Sequence, residues 1–407
     1  MVFVFLFVVP AALAAACRSP EVGWTRQFGT SGHDVAERVA ADSRGNVYVA
    51  GWTTDVLPGQ ANAGGYSDAF LRKFAASGRA LWTRQFGTED IDKVSGVAVD
   101  GHGDVYVFGS TSGALDGQLW AGEEDVFLRK FAPSGEVLWT RQFGSDQLER
   151  PSGVVVDRRD NVYAAGFTLG AMAGQDQDEE GDIFLRKYDP SGKELWTRQF
   201  GSETYDEAFA LAVDGRGDIY LSGTTRLTLP GQPAVQPIDA VLFKLDADGH
   251  KIWTRQFGSS EADQARGVAV DEKGTVRVAG WTSGAFPGKQ SSGMTDAFVN
   301  TYGPDGIELA SVQFGPVSYS SVACIAIDAG GNPYLSTAML DPMAERAALG
   351  GDFKIGDAPG SMEAFSQASC VSLDRGGNVY VVGWVLGALV GQTSAGEGDA
   401  FVVKSTP

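Results

Sequence analysis

The sequence is poor in the side chains that carry most enzyme chemistry. Across 407 residues it holds three histidines (His33, His102, His250) and three cysteines (Cys17, Cys324, Cys370). Three scattered histidines supply neither a His-rich metal cage nor a shared nucleophile–base–acid triad. No G-x-S-x-G, phosphate-binding loop or dinucleotide fingerprint occurs. Basic residues are scarce as well: 32 Lys and Arg face 51 Asp and Glu, a net charge of −19. Such a chain repels nucleic acid and anionic lipid on average, so neither is expected as a partner. Long amphipathic helical patterns are missing, whereas glycine is frequent, at 54 residues. Short β-type runs between glycine turns predict an all-β architecture.

The first residues, MVFVFLFVVPAALAAAC, form an apolar run that reads as a signal peptide over 1–16, although no Lys or Arg precedes it. The preferred reading takes residues 13–17 as resembling a lipobox, with Cys17 lipidated and 17–22 a short linker. The Leu expected three residues before the Cys is replaced by Ala14. Cleavage after Ala14-Ala15-Ala16 with plain secretion is the second reading, and an uncleaved anchor the third. Each exports the chain, as an outer-membrane or cell-surface lipoprotein or as a secreted protein, and membrane contact is expected only through the N-terminal lipid.

The rest of the chain repeats. WTRQFG begins at Trp24, Trp82, Trp139, Trp196 and Trp253, spacings of 58, 57, 57 and 57, and a worn copy, ASVQFG, occupies 310–315. In phase with it run seven copies of a D-x-x-G-N-V-Y-V-x-G pattern, from Asp42, Asp100, Asp157, Asp214, Asp271, Asp328 and Asp374. DAFLRKF-like segments begin at Asp68, Asp125, Asp182, Asp239, Asp296 and Asp399. Each period thus holds four short runs rich in Val, Phe, Tyr and Trp, joined in part by tight hairpins. The pattern predicts a seven-bladed β-propeller of four-stranded antiparallel blades over 23–407. The chain opens on a fourth-strand sequence and ends after a third-strand one. The N-terminal strand is therefore expected to close the last blade and remove its open edge. The sixth period is irregular: Asp328 to Asp374 spans 46 residues, and its third and fourth strands are hard to place between 338 and 365.

The repeated D-x-x-G-N-V-Y-V-x-G core resembles the SBBP repeat, the seven-bladed beta-propeller repeat of exported bacterial proteins. The resemblance implies a fold and an exported setting, and it brings no catalytic residue set.

A propeller has two faces. Here the turns from first to second and from third to fourth strand are tight, whereas the other face carries long loops, where recognition is expected. His102 and His250 fall on the tight-turn face and His33 on the other. Each long loop places a Gly eight residues past the strand-end Gly: Gly59, Gly117, Gly174, Gly231, Gly288 and Gly391. Gln60, Gln118, Gln175, Gln232, Lys289 or Gln392 follows, and then a variable tip. The constant Gly predicts positive φ.

Five residues past each FG glycine stand Asp34, Asp92, Glu149, Asp206 and Asp263, with Ser320 next. These acids read as a ring at one mouth of the channel, either holding a cation or basic ligand or locking blades through backbone N–H bonds. The repeat that loses its hexapeptide Arg (Val312) also loses its acid (Ser320), which suggests an Arg–acid pairing. Asp176, Asp178, Glu180 and Asp182 resemble the start of a calcium loop, but Lys187 stands where a bidentate Glu is needed. No cofactor is expected, calcium at this loop being the alternative. Cys324 and Cys370 each lie four residues before a repeat Asp, on the inner strands of adjacent blades, and form a candidate disulfide.

The reading is an exported, lipid-anchored, monomeric, non-catalytic binding or scaffold propeller that recognises glycan or an envelope protein through its long-loop face. A carbohydrate-active enzyme using the channel-mouth carboxylates is the first alternative, and a purely structural surface protein the second.

Overall fold

The computed structural model describes residues 21–61, 63–176, 181–232, 238–315, 320–339 and 365–406. The signal segment and Cys17 lie outside them. The first blade is β2 (Asp34–Ala41), β3 (Val47–Thr53), β4 (Asp68–Phe74) and β5 (Ala80–Phe86), paired antiparallel in that order. The same unit recurs from β6 (Asp92–Val99) to β9 (Val137–Phe143), and from β10 (Glu149–Val156) to β13 (Glu194–Phe200). Two more run from β14 (Asp206–Val213) to β17 (Lys251–Phe257), and from β18 (Asp263–Val270) to β21 (Glu308–Phe314). Middle strands of a blade lie between two sheet neighbours and between the two flanking blades. Val105–Thr111 and Asp125–Phe131 are accordingly buried at every position, which is why they read as unbroken apolar runs rather than alternating ones.

The closing blade has the order β1 (Glu21–Phe28), β26 (Asp399–Thr406), β25 (Val379–Leu386) and β24 (Phe365–Leu373). Trp24 stands opposite Lys404 and Phe28 opposite Ala400 in an antiparallel register. The N-terminal strand therefore supplies the missing edge of the last sheet.

The blade number departs from the expectation of seven. Among the described residues there are six four-stranded blades, and the sixth period forms a two-stranded sheet, β22 (Ser320–Ile327) with β23 (Pro333–Met339), packed between β18 and β24. The 46-residue period contains no DAFLRKF or WTRQFG sequence. The stretch where a third and fourth strand would fall lies outside the described residues. Cys324 of β22 and Cys370 of β24 are joined by a disulfide with the Cα atoms 5.1 Å apart. It ties this short sheet to the closing blade.

The hexapeptide holds neighbouring blades together. The Trp24 Nε1–H donates to Ala76 O at 3.0 Å, in the tight turn of the next blade between its third and fourth strands. Trp82, Trp139 and Trp253 donate in the same way to Pro133, Pro190 and Pro304. The Arg26 Nε–H donates to Gly78 O at 2.7 Å, and Arg84, Arg141 and Arg255 repeat the bond on Gly135, Gly192 and Gly306. Each guanidinium also lies over the Trp ring of its own strand, 5.6 Å from the centroid for Arg26 on Trp24. The gripped turn needs glycine twice over: Gly78 stands at φ +80, in the left-handed region, and a Cβ there would lie 2.6 Å from the Trp24 ring. Phe28 completes the contact by packing edge-on against Phe70 of the next blade, centroids 5.8 Å apart. The suggested pairing of hexapeptide Arg with the repeated acid does not occur, because the Arg is spent on turn carbonyls at the opposite end of the strand.

The D-x-x-G turns are closed by their own aspartates. Asp42 Oδ1 accepts from the backbone N–H of Arg44 and of Asn46, both at 2.9 Å, and Asp374 repeats this with Gly376 and Asn378.

Trp139 packs on Tyr106 and Tyr188 besides gripping Pro190. Trp139→Ala is expected to cost about 3 kcal/mol, whereas Leu138→Ala on the exposed side of the same strand costs under about 0.5 kcal/mol. Urea unfolding of both variants checks the contrast. Deleting residues 21–29 is expected to lower Tm and cause aggregation through the bared edge of β26, read by a thermal scan and size-exclusion chromatography.

Candidate functional site

The long-loop face is built on a repeated clamp. Gly59, Gly117, Gly174, Gly231, Gly288 and Gly391 all have φ between +72 and +77 with nothing within 4 Å of a Cβ, so backbone conformation alone requires them. The next residue reaches the outer strand: Gln60 Oε1 accepts the Gln85 N–H at 3.1 Å, and Gln118, Gln175, Gln232 and Gln392 accept from Gln142, Gln199, Gln256 and Gln27. The hexapeptide Gln returns the contact. Gln85 Oε1 accepts the Leu57 N–H at 2.8 Å, while its Nε2 donates to Asp55 O and to Asp68 Oδ2. In five of the six loops a buried apolar peg, Leu57, Leu115, Met172, Leu229 or Phe286, anchors the loop in the blade, and in the sixth Leu389 is half-buried. Past the clamp the tips diverge. Tyr66 is 76% exposed, Leu119 87%, Trp120 50% and Met294 78%, values far above those of the pegs.

The five acids expected at the channel mouth stand where the spacing put them, at the first residue of each inner strand, but they are sealed: Asp34, Asp92, Glu149, Asp206 and Asp263 all have zero exposure. Their side chains are packed among protein atoms. Each closes the link that precedes it. Asp34 Oδ2 accepts the backbone N–H and the hydroxyl of Thr30 at 2.6 and 2.9 Å. Thr88, Ser145, Ser202 and Ser259 play the same part for Asp92, Glu149, Asp206 and Asp263. Burial is the main force that raises the carboxyl pKa of Asp34, Asp92 and Glu149, and it pushes Asp263 up to about 6.

A second set of acids heads the DAFLRKF motif; of these only Asp182 stood out in the sequence, as part of the calcium-like loop. Asp399, Asp68, Asp125, Asp182 and Asp239 begin the third strands and are buried to 2% exposure or less. Each accepts the amide of its own blade's hexapeptide Gln. Asp399, Asp68, Asp125 and Asp182 also face the inner-strand acid of the following blade across the FG glycine. A Cβ on Gly29 would lie 2.5 Å from Asp399 Oδ1 and 2.6 Å from Asp34 Oδ2, and Gly87, Gly144 and Gly201 are hemmed in the same way.

The remaining candidates separate. His33, His102 and His250 are exposed and face single carboxylates, Glu397, Asp160 and Asp246. Among the described residues no group of three or more His, Cys, Asp or Glu could hold a metal. Of the calcium-like loop, Asp178 and Glu180 lie outside the described residues and Asp176 is exposed, while Asp182 is turned inward onto Gln199.

Gly144→Ala places its Cβ 2.2 Å from Glu149 Oε2 and 2.5 Å from Asp125 Oδ1. It is expected to cost about 3 kcal/mol, against about 1–2 kcal/mol for Gly117→Ala, where only the positive φ is strained. Chemical denaturation of the two variants checks the difference.

The sequence matches the SBBP beta-propeller repeat at residues 23–58, 81–115, 195–226 and 252–287. It is 30% identical over 190 residues to the regulatory protein FlaEY of Caulobacter vibrioides, covering 42% of this chain and 20% of that protein. An uncharacterized WD repeat-containing protein of Acanthamoeba polyphaga mimivirus is 23% identical over 198 residues, covering 39% of this chain and 14% of that one. The chain thus spans a fifth or less of the length of these relatives. Among solved structures, Sqt1 from Chaetomium thermophilum aligns over 95% of this chain and 99% of its own at 9% identity and a TM-score of 0.48. Four segments of the chain carry the SBBP beta-propeller repeat, and the described residues form the antiparallel four-stranded blades of a beta-propeller.

Proposed function

We propose that this propeller is an exported binding scaffold, lipid-anchored through Cys17, that holds glycan or an envelope protein on its long-loop face and performs no catalysis. The observation that carries the reading is the division of each long loop into a clamped base and an exposed tip. The Gly-Gln base is repeated almost unchanged, while the tips carry Tyr66, Leu119, Trp120 and Met294 in solvent. Exposed aromatic rings present an apolar face and a polar edge, the combination that stacks on sugar rings and anchors protein partners. The Cys324–Cys370 bridge supports an oxidising compartment. In this reading β22 and β23 are the inner half of a seventh sector, which would make the ring seven-fold. The regulatory role named for the Caulobacter relative accords with a scaffold that binds rather than turns over.

A glycan array probed with the mature protein tests the proposal. Binding is expected, and Trp120→Ala with Tyr66→Ala is expected to weaken it at least about tenfold, the effect of losing roughly 1.4 kcal/mol or more. Turnover of a polysaccharide by the wild-type protein would replace this reading with the enzymatic one. A silent array with capture of an envelope protein that both variants abolish would select the protein partner.

A further inference from the structure

Net charge argues against an anionic lipid partner, but the charge is not spread evenly over the two faces. The long-loop end holds both sets of buried acids. The tight-turn end carries a cationic or titratable side chain at one repeated place, two residues past the D-x-x-G aspartate. Arg44, His102, Arg159, Arg216 and Lys273 stand there in five consecutive blades, all exposed. Each is held alike, because its backbone N–H donates to that aspartate's Oδ1 at 2.8–3.0 Å. The closing blade has Gly376 at this place and an exposed Arg375 one residue earlier. Asp42, Asp100, Asp157 and Asp214 are at most 9% exposed, so the turns present their cations rather than their acids. Among the described residues of these turns Glu272 is the one exposed acid, and Arg158 pairs with it at 3.3 Å. His102 meets the half-buried Asp160. Arg44, Arg159, Arg216, Lys273 and Arg375 enter no ion pair among the described residues.

The basic rim is lopsided. Farther from the axis, the turns between third and fourth strands carry exposed acids in the second to fifth blades: Glu136, Glu194, Asp248 and Asp305. The first blade has no acid in that turn and an exposed Arg79 at its end. Arg44, Arg79 and Arg375 thus define a sector, on the closing and first blades, whose described turns show no exposed acid. The chain enters the fold at this sector. β1 begins at Glu21, opposite Thr406, and Trp24 bonds to Ala76 O in the turn that ends at Arg79. The residues just before β1 and its first residue add one charge of each sign, Arg18 and Glu21.

We propose that this basic sector of the tight-turn face docks on an anionic lipid surface, with Arg44, Arg79 and Arg375 among the headgroups and the long loops directed away from it. Charge complements anionic headgroups here and not at the long-loop end. Tight turns leave no long loop projecting from this face, which suits a planar partner. The point of chain entry selects the same sector: a lipid on Cys17 stands four residues before Glu21, a reach of at most about 14 Å. Basic residues beside a lipid anchor add to its hold on an anionic bilayer. The orientation rests on the lipid proposed at Cys17, whereas the docking surface does not.

The test separates surface from anchor by using the mature chain with Cys17→Ser, which cannot take the lipid. It is expected to co-sediment with vesicles of phosphatidylcholine and phosphatidylglycerol in equal parts and not with phosphatidylcholine alone, and to be released as salt is raised. Arg44→Glu with Arg375→Glu alters exposed turn residues and leaves their backbone bonds available, so an unchanged Tm is expected. Binding is expected to weaken at least about twentyfold, roughly fivefold for each Arg lost. Lys193→Glu, in the third blade on the far side of the same face, and Trp120→Ala with Tyr66→Ala, at the long-loop end, are expected to stay within about twofold of the parent chain. Failure to bind the anionic vesicles overturns the docking surface and leaves the Cys17 anchor and the loop tips unaffected. Loss of binding when Trp120 and Tyr66 are replaced would put the bilayer at the other face and overturn it too. Tighter binding to a soluble polyuronate than to vesicles would assign the rim to an acidic glycan, with the same result.

Discussion

Most blades end in a strand that also grips the next blade. The grip of the hexapeptide Trp and Arg on the next blade's tight turn is the contact on which the ring depends. Trp24 and Arg26 hold Ala76 and Gly78, and the pattern repeats with Pro133, Pro190 and Pro304. A four-stranded sheet has two faces to bury and cannot do so alone, so its stability is a nearest-neighbour quantity. Apolar packing supplies most of that energy but is indifferent to register. The indole N–H and guanidinium N–H bonds fix where along the strand the next blade sits. The first and last blades meet by the same contact, since the gripping strand there is the N-terminal one, paired with β26.

The same six residues separate rigidity from variation. Trp and Arg act at the tight-turn end, Phe in the interface, Gln at the long-loop end and Gly between two carboxylates. Because Gln85 and Gln60 clamp opposite ends of one loop base, a change at Tyr66 or its neighbours leaves the clamp intact. A scaffold of this kind tolerates divergent tips at little cost to the core.

Strand order, closure by the N-terminus, the left-handed loop glycines and the Asx turns were all legible, because each follows from a motif whose spacing is fixed by local geometry. Side-chain partners across blades were not. The inner-strand acids could be read either as a cation-holding ring or as locks between blades, because periodicity reveals a column of residues without revealing which side of the link covers it. The second acids, Asp182 apart, were hidden inside DAFLRKF, where an Asp before an apolar strand reads as a strand boundary. The turn at Asp160 is a smaller instance. It stands at φ 60 where the other turns have glycine, and its carboxylate accepts the Gly101 N–H of the neighbouring turn at 3.0 Å. Left-handed strain there is offset by a contact between blades that no single repeat displays.

The worn hexapeptide shows how far the nearest-neighbour logic goes. Ala310 and Val312 replace Trp and Arg in the strand that precedes the two-stranded sheet, while Gln313 and Phe314 are kept. Gln313 still clamps its own loop through Phe286 N–H and Asp296, a duty inside its own blade. The two residues lost are those whose duty lies in the tight turn of the following blade, and that period has no third- and fourth-strand motif to form one. Ser320 follows the same rule, since the acid it replaces belongs to a junction. A residue in this ring is therefore retained for the partner it meets, and decay in one period removes from its neighbour the side chains that would have met it. The disulfide from Cys324 to Cys370 sits beside this gap, so covalent linkage holds a sector whose preceding strand has lost both the Trp and the Arg of the grip.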